Sequence, residues 1–277
     1  MIRRCDSLVL LAKKLSEAKD FHGCVEFSFT PDEEIGGLTG VNYLIDQVSK
    51  PDYAIVAEPT GLDTVWIGSM GILQLDVIVR GIPSHAAQPW YGVNAFEDGV
   101  REAYALIKEL KPRIEGRQFM GEGAAITLGG FVRGGNSRNL VPDYFQFSID
   151  RRILPNEDVE TALNELINYM NELRGGIKSA IDIYVVSKIE SALNDRSRLL
   201  NKLINAIGNV LRISPRVGVS RVPVDTRYLQ RAGIDALTYG PGNINSAHGP
   251  DEYVEVNDII KSIYVYLQLI KEVYSDV

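Results

Sequence analysis

Three carboxylates stand side by side at Asp32, Glu33 and Glu34, directly after a stretch in which Val25, Phe27 and Phe29 alternate with Glu26 and Ser28. That alternation predicts a half-buried strand ending in an acidic loop. Carboxylates clustered at a strand end lie where α/β proteins build their sites. Neighbouring residues of extended chain point to opposite sides, so Glu33 and Glu34 could divide the work of general base and metal ligand. The same residues also suit a solvated loop capping the next helix. Glu58 closes a second apolar stretch, Tyr53 to Ala57, where it is either a second strand-end carboxylate or a cap on the turn at Pro59. The chain has three histidines, His22, His85 and His248. His85 lies in Gly81-Ile82-Pro83-Ser84-His85-Ala86-Ala87-Gln88-Pro89, and His248 in a loop that ends Ala247-His248-Gly249-Pro250. Carboxylate and imidazole are suitable zinc ligands, and hydrolytic zinc sites pair them with an unligated carboxylate base. No single-helix motif such as HExxH is present, so a metal site here requires several strand ends to converge. For each residue a simpler role stays open: His248 bonded to backbone, His85 in a hydrogen-bonded turn, Arg151 and Arg152 as a solvated pair rather than a carboxylate clamp.

These residues must be positioned by a chain of ordinary globular composition. Hydrophobic residues make up 45% of the 277 and charged residues 23%. With 36 acidic and 29 basic residues the formal charge is -7, and no basic block tracks a phosphate backbone, which argues against nucleic acid as a partner. Cys5 and Cys24 are the two cysteines and form no CxxC, which argues against a disulfide framework and a cysteine-rich zinc module. The apolar run Leu8–Ala12 is too short for a signal peptide, and no stretch approaches a membrane span, so a cytoplasmic location is expected.

Apolar spacing predicts helices at residues 6–19 and 38–48, with a strand at Tyr53–Ala57 between α-type elements. This alternation favours a parallel sheet with helices on its faces. From residue 72 the pattern changes. A strand at 73–79, a helix at 94–111, strands near 124–132 and 143–153, a helix at 157–173 and a strand at 181–185 follow in βαββαβ order, the split motif of ferredoxin-like domains. The helix at 94–111 is expected to pack through Phe96, Val100, Ala103, Tyr104, Ile107 and Leu110. Helical and strand patterns return after residue 195, with a strand at 234–239 and a last helix at 257–274. The fold class expected is therefore α/β: a catalytic domain from residues 1–71 and 187–277 with an inserted ferredoxin-like domain at 72–186.

Five segments in order give the chain a family resemblance: Thr30-Pro31-Asp32-Glu33-Glu34; Ala57-Glu58-Pro59-Thr60; the His85 segment with Gly92-Val93-Asn94-Ala95; Asn139-Leu140-Val141-Pro142 with Asp150-Arg151-Arg152; and Gly240-Pro241-Gly242 with Ala247-His248. The sequence resembles the co-catalytic zinc amidohydrolases and peptidases: acetylornithine deacetylase, succinyl-diaminopimelate desuccinylase, aminoacylase and carboxypeptidase G. The resemblance implies a zinc-peptidase-like catalytic domain and a lid or dimerisation domain. It implies that Glu33 is the general base, that Glu34, Glu58 and His248 are metal ligands, and that His85 stabilises an oxyanion across a homodimer interface. Asn139, Arg152 and Gly242 are implied to bind substrate, with Arg152 holding a free carboxylate. Two zinc ions per site are implied, with cobalt or manganese acceptable to the same donors. The substrate implied is a small N-acyl amino acid or peptide, and the reaction is amide hydrolysis.

The sequence departs from the family pattern in two places. An H-x-D motif and a metal-bridging Asp are expected upstream of Glu33–Glu34, yet Met1 falls where the turn into the helix at 6–19 should be, and neither His22 nor Asp6 substitutes. With three of five ligands, the chain alone is expected to be weakly active or inactive, as a truncated hydrolase. A non-catalytic dimeric carboxylate-binding relative, or a metallo-carboxypeptidase or dipeptidase of the same family, is the alternative. The second departure is Val219-Ser220-Arg221-Val222-Pro223-Val224-Asp225, where the family has a glycine-rich turn ending in Ser-Asp; Asp225 matches the Asp.

Overall fold

The computed structural model describes residues 2–18, 21, 23–47, 50–247 and 249–274. The chain forms two compact units, one comprising Met1–Ser69, Ala192–Ser220 and Val224–Val277, the other Met70–Ser191 with Arg221–Pro223.

The first unit begins with α1 (Ile2–Ser16), then a single 3-10 turn at Glu33–Ile35, α2 (Val41–Ile45), β1 (Tyr53–Val56) and β2 (Thr64–Ser69). The second unit follows with β3 (Gly71–Arg80), β4 (Ser84–His85), α3 (Ala95–Ala105) and α4 (Lys111–Glu115). Next come the short β5 (Gln118–Phe119) and β6 (Glu122–Gly123), then β7 (Ala125–Gly134), β8 (Leu140–Val141), β9 (Tyr144–Ile153), α5 (Val159–Glu172) and β10 (Ala180–Ile189). The chain returns to the first unit with β11 (Ala192–Leu193), α6 (Leu199–Leu211), β12 (Arg216–Ser220), α7 (Thr226–Arg231), β13 (Asp235–Thr238) and α8 (Val256–Tyr274).

The sheet of the first unit is mixed, where the alternation of elements favoured a parallel one. β1 runs parallel to β13 and β12 parallel to β2, but β13 meets β2 antiparallel through Thr238 and Trp66. The α6 helix is started from a strand: the Asp235 carboxylate accepts from the amides of Arg198 (2.8 Å) and Leu199 (3.2 Å), satisfying donors that the first turn leaves without partners. α8 is tied to the end of β13 by the Tyr266 hydroxyl, which donates to the carbonyl of Tyr239 at 2.8 Å.

Two expected elements of this unit take another form. Residues 24–30 have no regular secondary structure: Val25 and Phe27 are half-buried, but among the described residues the segment joins no ladder and forms no strand. Alternation supplies the burial, whereas a strand also needs a neighbour for its amides and carbonyls. The helix expected at 38–48 is reduced to five residues, and Leu38 is exposed. Its start is held by Asp32, whose carboxylate accepts from the Thr39 amide and hydroxyl at 2.8 and 2.7 Å.

The second unit has its four long strands in the order β10-β3-β9-β7, all antiparallel. Along β3 each second residue is buried, so Leu73, Leu75, Val77 and Val79 face the core with Phe147 and Ile149 of β9. Leu106, Leu166 and Met170 cover them from the helical side. The opposite alternation leaves Gln74, Asp76, Gln146, Ser148 and Asp150 on the other face. There Gln146 Nε2 donates to Asp76 (2.9 Å) and Gln74 Nε2 to Asp150 (2.8 Å).

The expected helix at 94–111 is corrected in two ways. It opens into a π turn at Leu106–Leu110 before α4. Pro112 explains this: it has no amide hydrogen, and its ring would collide with the Lys108 carbonyl in an α-helix, so the turn widens. The packing face also differs. Leu110 is buried in the core and Ala103 lies against it as expected, but Phe96, Val100, Tyr104 and Ile107 are exposed, and Ala95, Asp98, Gly99 and Glu102 are buried instead. Gly99 sets this rotation, because a Cβ there would sit 2.3 Å from the Phe145 ring. The helix therefore approaches the sheet through its glycine and turns its apolar stripe outward.

Candidate active site

In the first unit the acidic loop is built by backbone conformations that few residues accept. Asp32 is left-handed at φ 63°, which its short polar side chain tolerates by bonding locally to Thr39. Gly36 (φ 113°) and Gly37 (φ 70°) follow. A Cβ on Gly37 would lie 2.2 Å from Asp225 Oδ1, so the loop is pressed against the start of α7. Glu33 and Glu34 thus lie in a 3-10 turn, not on extended chain. Successive residues diverge by about 120° in such a turn, so the two carboxylates still separate. Glu34 is exposed and Glu33 half-buried.

Glu58 reaches the same place from the end of β1. Its segment is latched to the loop after β13: the Thr60 amide donates to the Gly240 carbonyl (3.2 Å) and the Gly61 amide to the Gly242 carbonyl (2.8 Å). Gly240 approaches so closely that a Cβ would be 2.8 Å from the Glu58 carbonyl oxygen, and Gly242 is left-handed at φ 105°. Parallel pairing of β1 with β13 makes these two strand ends neighbours.

The gathering registers as a perturbed acid. Burial, then the charges of Glu58, Glu34 and Asp225, push the Glu33 carboxyl up to about 7, against a lowering from Arg227. Asp225 is buried and its carboxyl is likewise raised, chiefly by burial. Four carboxylates from three separate segments therefore act on one another. Among the described residues, no three His, Cys, Asp or Glu gather closely enough to hold a metal ion. Glu34 and Glu58 supply hard oxygen donors of the right type, and the third expected ligand, His248, lies outside the described residues.

The second unit brings together two of its three expected residues. β4 pairs with β8, opposing His85 to Leu140, and the Ala86 amide donates to the Asn139 carbonyl at 2.9 Å. The Ala87 amide donates to His85 Nδ1 at 3.0 Å, so in the neutral ring the hydrogen is on Nε2. The Ser137 hydroxyl donates to Asn139 Oδ1 at 2.5 Å.

Arg152 is elsewhere. It lies opposite Ile72, whereas Tyr144, the other end of β9, lies opposite Arg80. Eight residues separate these ends, about 27 Å at a strand's rise of about 3.4 Å per residue. His85 follows the Arg80 end. Arg152 rests against Asp150, with Nε donating at 2.8 Å.

Arg151 and Arg152, read from sequence as one pair, project to opposite faces of the sheet. Arg151 is fully buried in a network with Glu157, Glu165 and Arg117, donating to Glu165 at 2.7 Å and Glu157 at 3.2 Å, while Arg117 donates to the same two acids at 2.5 and 2.7 Å. It is a structural arginine.

Sequence reading overlooked Arg227 and Tyr228, both buried and both bonded to the acidic loop. The signal available was a polar run, Asp225-Thr226-Arg227-Tyr228, opening a helix two residues after a proline.

Burial, Glu58 at the end of β1, and carboxylates of the acidic loop and of the start of α7 together raise one carboxyl to about 7, an arrangement suited to hydrolytic chemistry. The sequence profile of Peptidase family M20/M25/M40 matches residues 6–272, and the chain belongs to that family. It is 28% identical to an uncharacterised metallohydrolase of Methanococcus maripaludis, over 96% of this chain and 69% of the relative. It is 26% identical to a succinyl-diaminopimelate desuccinylase of Corynebacterium glutamicum (91% of this chain, 66% of the relative). It is 30% identical to an acetylornithine deacetylase of Myxococcus xanthus (84% and 60%). The chain thus spans about two thirds of the length of these relatives. In fold it is similar to aminopeptidase PepT of Bacillus cereus, with a TM-score of 0.79 at 20% identity over 97% of this chain and 69% of that one.

Proposed function

We propose that this protein is a metal-dependent amidohydrolase that cleaves the N-acyl bond of a small substrate carrying a free carboxylate, of the deacylase or desuccinylase type. The observation that supports the reading is that burial, with the charges of Glu58 at the end of β1 and of Glu34 in the same acidic turn, raises one half-buried carboxyl, Glu33, to about 7. Glu33 is the general base: a carboxylate poised near neutrality takes a proton from the attacking water and returns it to the departing amine. Glu34, Glu58 and His248 are the ligands for zinc, or for cobalt or manganese. When bound, the metal polarises the amide carbonyl and acidifies water, and its charge counters the mutual repulsion of the carboxylates.

His85 donates from Nε2 to the developing oxyanion, and Asn139 beside it binds the acyl group. Arg152 exchanges its Asp150 partner for the substrate carboxylate in a charge-assisted pair, and Gly242 lends its backbone to the substrate. One copy holds His85 and Arg152 at opposite ends of the sheet, so a homodimer supplies His85 to the partner's site. The exposed stripe of Phe96, Val100 and Tyr104 on α3, continued by Ile107 in the π turn, suits that contact, with the ferredoxin-like unit acting as lid. Two exposed cysteines without a disulfide suit a reducing, cytoplasmic setting.

The test is zinc binding and hydrolysis of N-acetyl and N-succinyl amino acids by zinc-loaded protein, in which weak turnover is expected with three of the family's five ligands in hand. Glu33→Gln is expected to lower turnover by about 10²–10⁴-fold with folding intact. Equal turnover in the variant, or no hydrolysis together with no bound zinc, overturns the reading.

A further inference from the structure

α7 is fixed to the sheet before it touches the acidic loop. The hydroxyls of Thr226 and Thr238 are hydrogen-bonded at 2.5 Å, and Gln230 Nε2 donates to the carbonyls of Ile67 (3.1 Å) and Ala236 (2.9 Å). From this anchored helix two donors reach one acceptor. Arg227 Nη2 and the Tyr228 hydroxyl each donate to the Gly36 carbonyl at 2.6 Å. The Arg227 guanidinium stacks over the Tyr228 ring at 4.2 Å and approaches Asp225 Oδ1 at 3.8 Å. Both side chains are buried. The acceptor is not incidental, because Gly36 ends the single turn that carries Glu33 and Glu34, and the next residue, Gly37, has no room for a Cβ against Asp225 and Tyr228.

A three-residue 3-10 turn has little stability of its own. Its orientation is therefore set from outside, by the Asp32–Thr39 bonds on one side and by α7 on the other. We propose that Arg227 and Tyr228 are positioning residues, clasping the Gly36 carbonyl so that Glu33 and Glu34 are presented in a fixed direction toward Glu58. Arg227 is suited to the task because one arm of its fork bonds the Gly36 carbonyl while the other lies 3.8 Å from the Asp225 carboxylate, on a guanidinium that stays charged when buried. Its role rests on the proposed hydrolase reading for what the two carboxylates do, but the clasp itself can be tested without activity.

The experiment compares wild type with Arg227→Met, Arg227→Lys and Tyr228→Phe, with Ile207→Val in α6 as a control for general loosening of the first unit. Amide hydrogen exchange over residues 33–40 is expected to quicken about tenfold or more in Arg227→Met and less in Tyr228→Phe, as befits loss of a charged and a neutral donor. The control should leave that segment unchanged. Cobalt(II) titration followed by visible absorption is the second arm. Arg227→Met is expected to weaken cobalt about tenfold and alter the spectrum, and Arg227→Lys to restore part of both. Unchanged exchange in Arg227→Met overturns the clasp. Quickened exchange with wild-type cobalt binding overturns its positioning role. A wild type that takes no cobalt overturns the metal-dependent reading and the positioning role with it, while the exchange arm still decides whether the clasp exists.

Discussion

The sheet of the second unit and the acidic loop of the first are stabilised in opposite ways. The sheet has four ten-residue strands, a continuous apolar face, and a buried arginine whose two carboxylate partners are themselves paired to Arg117. The loop has one 3-10 turn, left-handed residues at Asp32, Gly36 and Gly37, and two buried carboxylate oxygens, Asp32 Oδ1 and Asp225 Oδ1, without a hydrogen-bond donor among the described residues. Redundant packing makes the sheet tolerant of small changes except at its buried charges. The loop depends on a few specific bonds and accepts mutual repulsion among its acids, the condition in which side chains acquire shifted proton affinities.

The comparison can be broken first at Arg151. Arg151→Met leaves Glu157 and Glu165 with Arg117 alone, and is expected to cost about 3 kcal/mol in denaturant unfolding through the loss of two charge-assisted hydrogen bonds. A loss below about 1 kcal/mol would mean that the network relaxes to solvent. A Val100→Glu change on the outward stripe of α3 should leave folding intact and convert a dimer to monomer by light scattering. A wild type that is already monomeric at micromolar concentration removes the proposed role of His85 in trans. Gly37→Ala combines positive φ with a 2.2 Å approach to Asp225, for an expected cost of about 1–3 kcal/mol. Quickened exchange should be confined to the acidic loop; loosening that spreads through β2 and β13 would contradict the loop's independence.

The smallest effect is expected at Asp158, whose carboxylate starts α5 by accepting from the Thr161 amide at 2.8 Å. That bond holds its carboxyl below the usual value of 3.8. A lowered folded-state value means the contribution is present above about pH 4 and fades as pH falls below it. Asp158→Ala should therefore lower Tm slightly at neutral pH and not at pH 2. An equal loss at both would assign the effect to hydrogen bonding by the cap that does not depend on its charge.

The same contrast explains what could be read from the sequence. Alternation along Leu73–Val79 and Phe145–Ile149 revealed strands because long antiparallel strands with one buried face repeat every second residue. It misled at Val25–Phe29, where the pattern is present but no pairing strand is found among the described residues, and helical spacing misled at 94–111, where Gly99 and not most of the apolar stripe meets the sheet. Family motifs singled out Glu33, Glu34 and Glu58, and the charges of Glu58 and Glu34 both act on Glu33 from the end of β1 and from the acidic turn itself. Arg227 and Tyr228 were not legible, since their work is a pair of hydrogen bonds to a backbone carbonyl about 190 residues away in sequence. The division of Arg151 from Arg152 required only the period of a strand, yet its consequence, a buried ion network, depended on acids contributed by α5 and its approach.

The central claim is that Glu34 and Glu58 form part of one metal centre beside Glu33. Its most direct measurement is anomalous diffraction at the zinc edge from crystals grown with zinc. The expected result is a peak within about 2.2 Å of a carboxylate oxygen of Glu34 or Glu58, with Glu33 unligated beside it. Fully occupied zinc elsewhere on the protein, with no peak at either carboxylate, would contradict the account.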